Sequence, residues 1–212
     1  MSQRPLLVVE SPSKARTIEQ YLGGEFEVIA SVGHIKDLPS NELGIDIEND
    51  FKINLKPLSD RKKFIDEIKS KSVEAPRVLI ATDPDREGEA IAAHIASETP
   101  PEKTERVEFT EITKAGISEA MNQIRKIDKN LVDAQIARRI IDRLVGYKVS
   151  PVLWATLKKN MNFVSGSLSA GRVQSAAVKL LIDRERLRAR FKNTTYFDIL
   201  AKLEDKKEKI SF

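Results

Sequence analysis

The sequence predicts an α/β protein: a mainly parallel four-stranded sheet flanked by helices, then a mainly helical segment and the start of a β region. Three observations predict it. Apolar runs of strand length, such as Leu6–Val9 and 77–81, are continuous rather than alternating, as in strands buried on both faces. Helical patterns separate those runs, which favours parallel crossovers. From about residue 128 the apolar period becomes helical.

The elements follow in order. Leu6 to Val9 is the first strand, ending at Glu10. Ser11 is a natural N-cap with Pro12 at the first helical position, and the helix runs through Ala15, Ile18 and Leu22 to Gly23-Gly24. Phe26 to Ser31 is a second strand, ending at Gly33-His34. Residues 38–60, broken by Pro39, Gly44 and Pro57, read as an excursion from the α/β unit. Arg77 to Ala81 is a third strand, with a helix from Glu89 to Ala96 after it. Val107 to Phe109 is a fourth strand, and Ile112, Ile117, Met121 and Ile124 suggest another helix. Val132, Ile136, Ile140 and Leu144 then form one apolar stripe on a helix that Gly146 ends. A further helix spans Arg172 to Arg190, with Val173, Ala177, Leu180, Leu181 and Leu187 inward. Phe197 to Leu203 alternates as a strand. The domain reading is 1–127, 128–191 and 192–212.

Hydrophobic residues make up 41% and charged residues 32%, too apolar for general disorder. No apolar run approaches the roughly 20 residues that span a bilayer, and the N-terminus does not read as a secretion signal. Cysteine is absent, which removes disulfides, thiolate zinc and a Cys nucleophile, and permits a cytoplasmic location. The net charge of +4 is unevenly spread. Residues 1–120 carry 16 Lys+Arg against 23 Asp+Glu (−7), and residues 121–190 carry 15 against 5 (+10). An acidic half joined to an Arg-rich basic segment suggests a polyanion partner such as nucleic acid; a solvated helical face is the bland alternative.

The sharpest cluster is Asp83-Pro84-Asp85-Arg86-Glu87-Gly88-Glu89, at the carboxyl end of a strand, where open α/β sheets place ligands. An extended backbone there would project Asp83, Asp85 and Glu87 to one side. Hard carboxylates without Cys or His suit Mg²⁺; alternatively the acids cap the next helix. Glu10 ends the first strand and meets these acids if the two strands are neighbours. Lys14, one helical turn on, could hold a phosphate or donate a proton to a leaving oxygen, or be an ordinary surface ion pair. His34 lies on the same edge, although a lone His is more often structural, and His94 receives no role.

The basic cluster joins Arg138, Arg139 and Arg143 to Tyr147 and Trp154. Arginine suits phosphate and the rings could stack on bases, or simply pack in a core. Ser169-Ala170-Gly171-Arg172-Val173-Gln174 is a small-residue loop opening a helix, suited to a phosphate. No Ser/His/Asp set, P-loop or dinucleotide glycine fingerprint is present.

Taken in order, Val8-Val9-Glu10-Ser11-Pro12-Ser13-Lys14-Ala15, Gly33-His34-Ile35-Lys36-Asp37-Leu38-Pro39, the Asp83–Ala92 run, Phe109-Thr110-Glu111-Ile112-Thr113, Ala137–Tyr147 and Leu168–Ser175 resemble bacterial DNA topoisomerase I, the type IA class. The resemblance implies a Toprim domain over 1–127 in which Glu10, Asp83, Asp85 and Glu87 share a Mg²⁺ site and Lys14 assists phosphodiester cleavage, Glu10 and Lys14 being the catalytic pair. It implies that His34, Arg138, Arg139, Asp142, Tyr147, Trp154 and Ser169, Ala170, Gly171, Arg172, Val173 and Gln174 line a single-strand DNA groove. It further implies ATP-independent relaxation of negatively supercoiled DNA through a 5′-phosphotyrosyl intermediate, by a monomer of the bacterial cytoplasm and nucleoid with no membrane partner.

The family's nucleophilic tyrosine has an arginine beside it. Tyr21, Tyr147 and Tyr196 lack that context, so the sequence reads as an N-terminal fragment, with 128–191 a partial helical domain and 192–212 the start of an arch β domain. On that reading the isolated chain is inactive in cleavage. Two other readings stay open: a standalone Toprim nuclease or primase-like enzyme, and a DNA-binding module without catalysis.

Overall fold

The structure is a computed structural model that describes residues 4–157, 168–204 and 209–211. Its elements run β1 (Leu6–Val9), α1 (Pro12–Leu22), β2 (Glu27–Ala30), β3 (Lys36–Asp37), β4 (Ile45–Asp46), β5 (Lys52–Ile53), β6 (Lys56–Pro57), α2 (Lys62–Glu74), β7 (Val78–Ala81), α3 (Arg86–Ala96), β8 (Thr104–Arg106), α4 (Lys114–Ala120), α5 (Lys129–Leu157), α6 (Arg172–Arg190), β9 (Lys202–Glu204) and β10 (Lys209–Ser211). Two compact units divide the chain, Met1–Ala170 and Gly171–Phe212.

The first unit is built on a four-stranded parallel sheet in the order β2-β1-β7-β8. Every residue of β1 and β7 is buried, which explains their unbroken apolar runs. Alternation sends Leu6, Val8 and Ile80 to one face, against Ile65, Ile68, Ile91 and Ile95 of α2 and α3. Leu7, Val9 and Leu79 go to the other, against Ile18 of α1 and Ile117 of α4. Each such side chain is worth roughly 1.5–3 kcal/mol of burial, so both faces are firmly held. The excursion at 38–60 carries two short antiparallel pairs, β3 with β6 and β4 with β5. Among the described residues no helix is long and apolar enough to cross a membrane.

Several expectations are corrected. The fourth strand is Thr104–Arg106, not 107–109, because its last residue is a fully buried arginine that apolar patterning passes over. Helix α3 begins at Arg86, capped by Asp85, three residues before the expected start. The helix expected across 112–124 is only Lys114–Ala120. Helix α2 is an addition to the expected elements; its many lysines dilute the apolar period that buries Ile65 and Ile68. Helix α5 passes through Gly146 and Pro151 to Leu157, since a single glycine costs a helix only about 1 kcal/mol.

In the second unit α6 has the expected bounds. The residues expected to point inward are nevertheless exposed, Leu180 by 72% and Leu187 by 61%. An amphipathic pattern states that a helix has an apolar face, not that this unit covers it. Residues 191–201 form no strand; pairing is confined to β9 with β10. Residues 158–167, within the expected small-residue connection, lie outside the described residues.

Candidate functional site

Strands β1 and β7 are paired in register, Val9 opposite Ala81, so Glu10 and Asp83 leave the sheet side by side. Burial pushes the Glu10 carboxyl above its ordinary value. The charges of Asp83 and Asp85 push it further, while Lys14 and a hydrogen bond with the Asp83 backbone oppose them. Three carboxylates therefore share one electrostatic neighbourhood. Ser11 accepts from the Lys14 N–H at 3.3 Å, capping α1 and placing Lys14 in its first turn. From there the Lys14 ammonium donates to Asp83 Oδ1. Lys14, Asp83, Asp85, Phe109 and Glu111 line a cleft of about 470 Å³ at this strand end.

Asp85 is also a helix cap, since its Oδ1 accepts the Gly88 N–H at 2.7 Å at the start of α3. Thus the helix-cap reading and the ligand reading apply to the same residue. Gly88 sits over Asp83 so closely that a Cβ there would lie 2.1 Å from the Asp83 carbonyl oxygen. Among the described residues, no three His, Cys, Asp or Glu side chains are gathered closely enough to hold a metal ion. The donor chemistry of Glu10, Asp83 and Asp85 still fits a hard divalent cation: all are oxygen donors, and their mutual repulsion is answered at this mouth by Lys14.

Glu87 is not on the same side as Asp83. The backbone is helical from Arg86, which ends the strand alternation on which that expectation stood. Glu87 Oε1 stands 2.8 Å from His34 Nε2, and Oε2 accepts from Gln135 Nε2 at 2.7 Å. Burial pushes the Glu87 carboxyl up, but these hydrogen bonds and the charges of His34 and Arg138 hold it below its ordinary value. His34 reaches it from a left-handed turn, Val32 at φ 60° and Gly33 at φ 84°, a strained conformation for a β-branched residue. Behind it lies His94, with Nδ1 atoms 3.4 Å apart. Burial and the neighbouring His34 and Lys36 charges lower His94 to about 4, so it is neutral near pH 7.

The basic residues of α5 are held by the excursion. Arg139 forks onto the Asp37 carboxylate, with Nε to Oδ1 at 3.0 Å. Arg143 donates to the carbonyls of Pro39 (2.8 Å) and Leu38 (3.3 Å). The Tyr147 hydroxyl donates to the carbonyl of Glu42 or Ser40 (3.0 and 3.1 Å), and the Arg143 guanidinium lies 5.4 Å from its ring centroid. Arg138 makes a looser contact, 3.8 Å to Asp142. Arg139, Asp142, Arg143, Tyr147 and Trp154 line a cleft of about 580 Å³, and Trp154, 45% exposed, donates to the Leu168 carbonyl. Ser169 and Ala170 close the first unit, the Ala170 N–H donating to Ser150 Oγ at 3.0 Å. Gly171, Arg172, Val173 and Gln174 open the second, with Gly171 as the α6 N-cap.

Sequence reasoning missed a buried network beneath the acids. Glu89, fully buried, accepts from Arg125 at 2.8 and 2.7 Å, from Arg106 Nε at 3.2 Å and from the Asp128 N–H at 2.6 Å. Burial pushes the Glu89 carboxyl up, but the Arg125 and Asp128 hydrogen bonds and the two guanidinium charges hold it below its ordinary value. One signal was available: Glu89 precedes Ala90, Ile91 and Ala92 on a helix whose other inward positions are apolar.

Comparison with known proteins gives matches to both parts of the sequence. A Toprim domain model matches residues 5–112 and a DNA topoisomerase model residues 126–211. Among solved structures, full-length topoisomerase I from Thermotoga maritima in a monoclinic crystal form is similar, at 46% identity and a TM-score of 0.79. The match covers 98% of this chain and 36% of that one, so the chain spans about a third of the length of this relative.

Proposed function

Since the chain belongs to the bacterial type IA DNA topoisomerases, we propose that it carries the cation-binding and strand-holding part of an enzyme that relaxes negatively supercoiled DNA without ATP. The observation that carries the proposal is the meeting of Glu10, Lys14, Asp83 and Asp85 at the carboxyl ends of two adjacent parallel strands.

In the reaction a tyrosine hydroxyl attacks a backbone phosphorus. The phosphotyrosyl bond forms as the bond to the 3′ oxygen breaks, and reversal reseals the strand after another has passed. One phosphoester replaces another, so no nucleotide need be consumed. Mg²⁺ held by Glu10, Asp83 and Asp85 would supply positive charge to the phosphate oxygens. Lys14 stabilises the phosphate and can donate a proton to the leaving 3′ oxygen. Glu87 keeps His34 oriented at the rim; it enters the cation's ligand set only by exchanging the partners it has here. The attacking tyrosine is none of Tyr21, Tyr147 and Tyr196, and the Tyr147 hydroxyl is already directed at the excursion's carbonyls.

On this reading 1–127 is the cation domain, 128–191 part of the helical DNA-binding domain and 192–212 the start of a β domain. His34, Arg138, Arg139, Asp142, Tyr147, Trp154 and the segment from Ser169 to Gln174 line the single-strand groove of a monomer that acts on the chromosome in the cytoplasm. Contacts go to phosphate and stacked bases, which supports weak binding of single strands by the chain alone. The test pairs single-strand binding with supercoil relaxation. The 212-residue chain is expected to bind and not to relax; Mg²⁺-dependent relaxation by the pure chain would overturn the division of labour.

A further inference from the structure

We propose that Arg106 is a positioning residue for the acidic turn, fixing the backbone from which Asp83 presents its carboxylate; the inference rests on the cation-binding reading above. Arg106 ends β8 and is fully buried. A guanidinium has five N–H donors. Here five acceptors surround it: Nε donates to Glu89, NH1 to the carbonyls of Ile80 and Val107, and NH2 to the carbonyls of Thr82 and Asp83, both at 2.9 Å.

The last two bonds carry the inference. The β7 ladder ends at Ala81, so the Thr82 and Asp83 carbonyls lie beyond strand pairing. The fork of Arg106 takes over where the ladder stops. On the other side Gly88 packs against the Asp83 backbone, and Thr82 Oγ1 donates to the Gly88 carbonyl at 2.5 Å. Asp83 is thereby clamped from both sides before its carboxylate meets Lys14 and Glu10. Stability alone is a poor reason for this construction, because a buried ion pair is often matched or bettered by well-packed apolar residues. Such residues cannot supply two directed donors to consecutive carbonyls. The same Glu89 that steadies Arg106 also accepts from Arg125 and from the N–H of Asp128, just before α5, so the start of the basic helix and the acidic turn hang on one carboxylate.

The test is Mg²⁺ affinity of the 212-residue chain by titration calorimetry, well below the unfolding midpoint. The Arg106→Lys variant keeps the charge opposite Glu89 but loses the fork. It is expected to bind Mg²⁺ about tenfold more weakly, the scale of outer residues that orient ligands. The double variant Arg106→Met, Glu89→Leu removes both charges; it is expected to fold at least comparably and still lose about tenfold in affinity. An Ile68→Ala core variant, destabilised without touching the turn, is expected to stay within about twofold of wild type. Either Arg106 variant folded with wild-type affinity overturns the positioning role, as does an equal loss in Ile68→Ala. A wild-type chain that takes up no Mg²⁺ overturns the cation reading itself, and the positioning role with it.

Discussion

His34 Nε2 stands 2.8 Å from Glu87 Oε1, joining the end of β2 to the first turn of α3 across 53 residues of sequence. This contact separates Glu87 from the acids with which it alternates. Asp83→Asn is therefore expected to weaken Mg²⁺ binding by at least about tenfold, and Glu87→Gln by less than about threefold. Titration calorimetry on the two variants checks the order; a larger loss at Glu87 would place it among the ligands.

Glu10 should be a residue kept at some cost to stability. Its carboxyl is raised in the folded chain, which therefore binds a proton more readily than the unfolded chain. Metal-free stability contributed by this group falls as pH rises above 4.5 through the folded value and is recovered on acidification. Glu10→Gln is expected to stabilise the metal-free chain by roughly 0.5 kcal/mol at pH 7 and to remove Mg²⁺ binding. Urea unfolding with and without Mg²⁺ reads both effects.

Removing Glu89 should be far more damaging. Glu89→Ala leaves Arg106 charged, buried and unpaired, for an expected loss of about 3–5 kcal/mol. The exposed pair Arg77–Glu105 at 2.6 Å is expected to be worth under about 1 kcal/mol by double-mutant cycle. The Glu89 carboxyl is depressed on folding, so its contribution is present above pH 4.5 and lost as pH falls through its lower folded value. Acid unfolding of Glu89→Gln should lack that component.

At Gly88 the added methyl group of alanine would meet the Asp83 carbonyl oxygen at 2.1 Å and its nitrogen at 2.8 Å. Gly88→Ala is expected to cost about 2 kcal/mol or more by thermal unfolding and to lower Mg²⁺ affinity together with it, since the displaced atoms are the Asp83 backbone.

The arginines of α5 should separate by their present partners. Arg138→Ala is expected to weaken binding similarly across single-strand sequences and to reduce the salt slope by about one. Arg143→Ala releases the carbonyls of Leu38 and Pro39 and is expected to lower stability by about 1 kcal/mol in addition. Fluorescence anisotropy across a salt series, beside unfolding curves, distinguishes the two.

The sheet was legible because β1 and β7 are apolar without interruption, and α1 because Ser11, Pro12 and Gly23 mark its ends. The neighbouring of Glu10 and Asp83 followed from strand order. What patterning could not reveal is where charge is buried. Arg106 ends a strand and Glu89 lies inside a helix core, both against the usual placement of their residue types. Nor could it show that Arg139, Arg143 and Tyr147 meet the 37–42 segment, because those contacts join residues about a hundred positions apart.

The early start of α3 has a consequence for mutational scans. Asp83, Asp85, Glu87 and Glu89 share a two-residue spacing, yet one pairs with a lysine, one caps a helix, one orients a histidine and one neutralises buried arginines. Alanine at any of the four would abolish the same activity for four unrelated causes. A set of inactive variants from this run would therefore read as a single metal cage where the protein has built four separate devices.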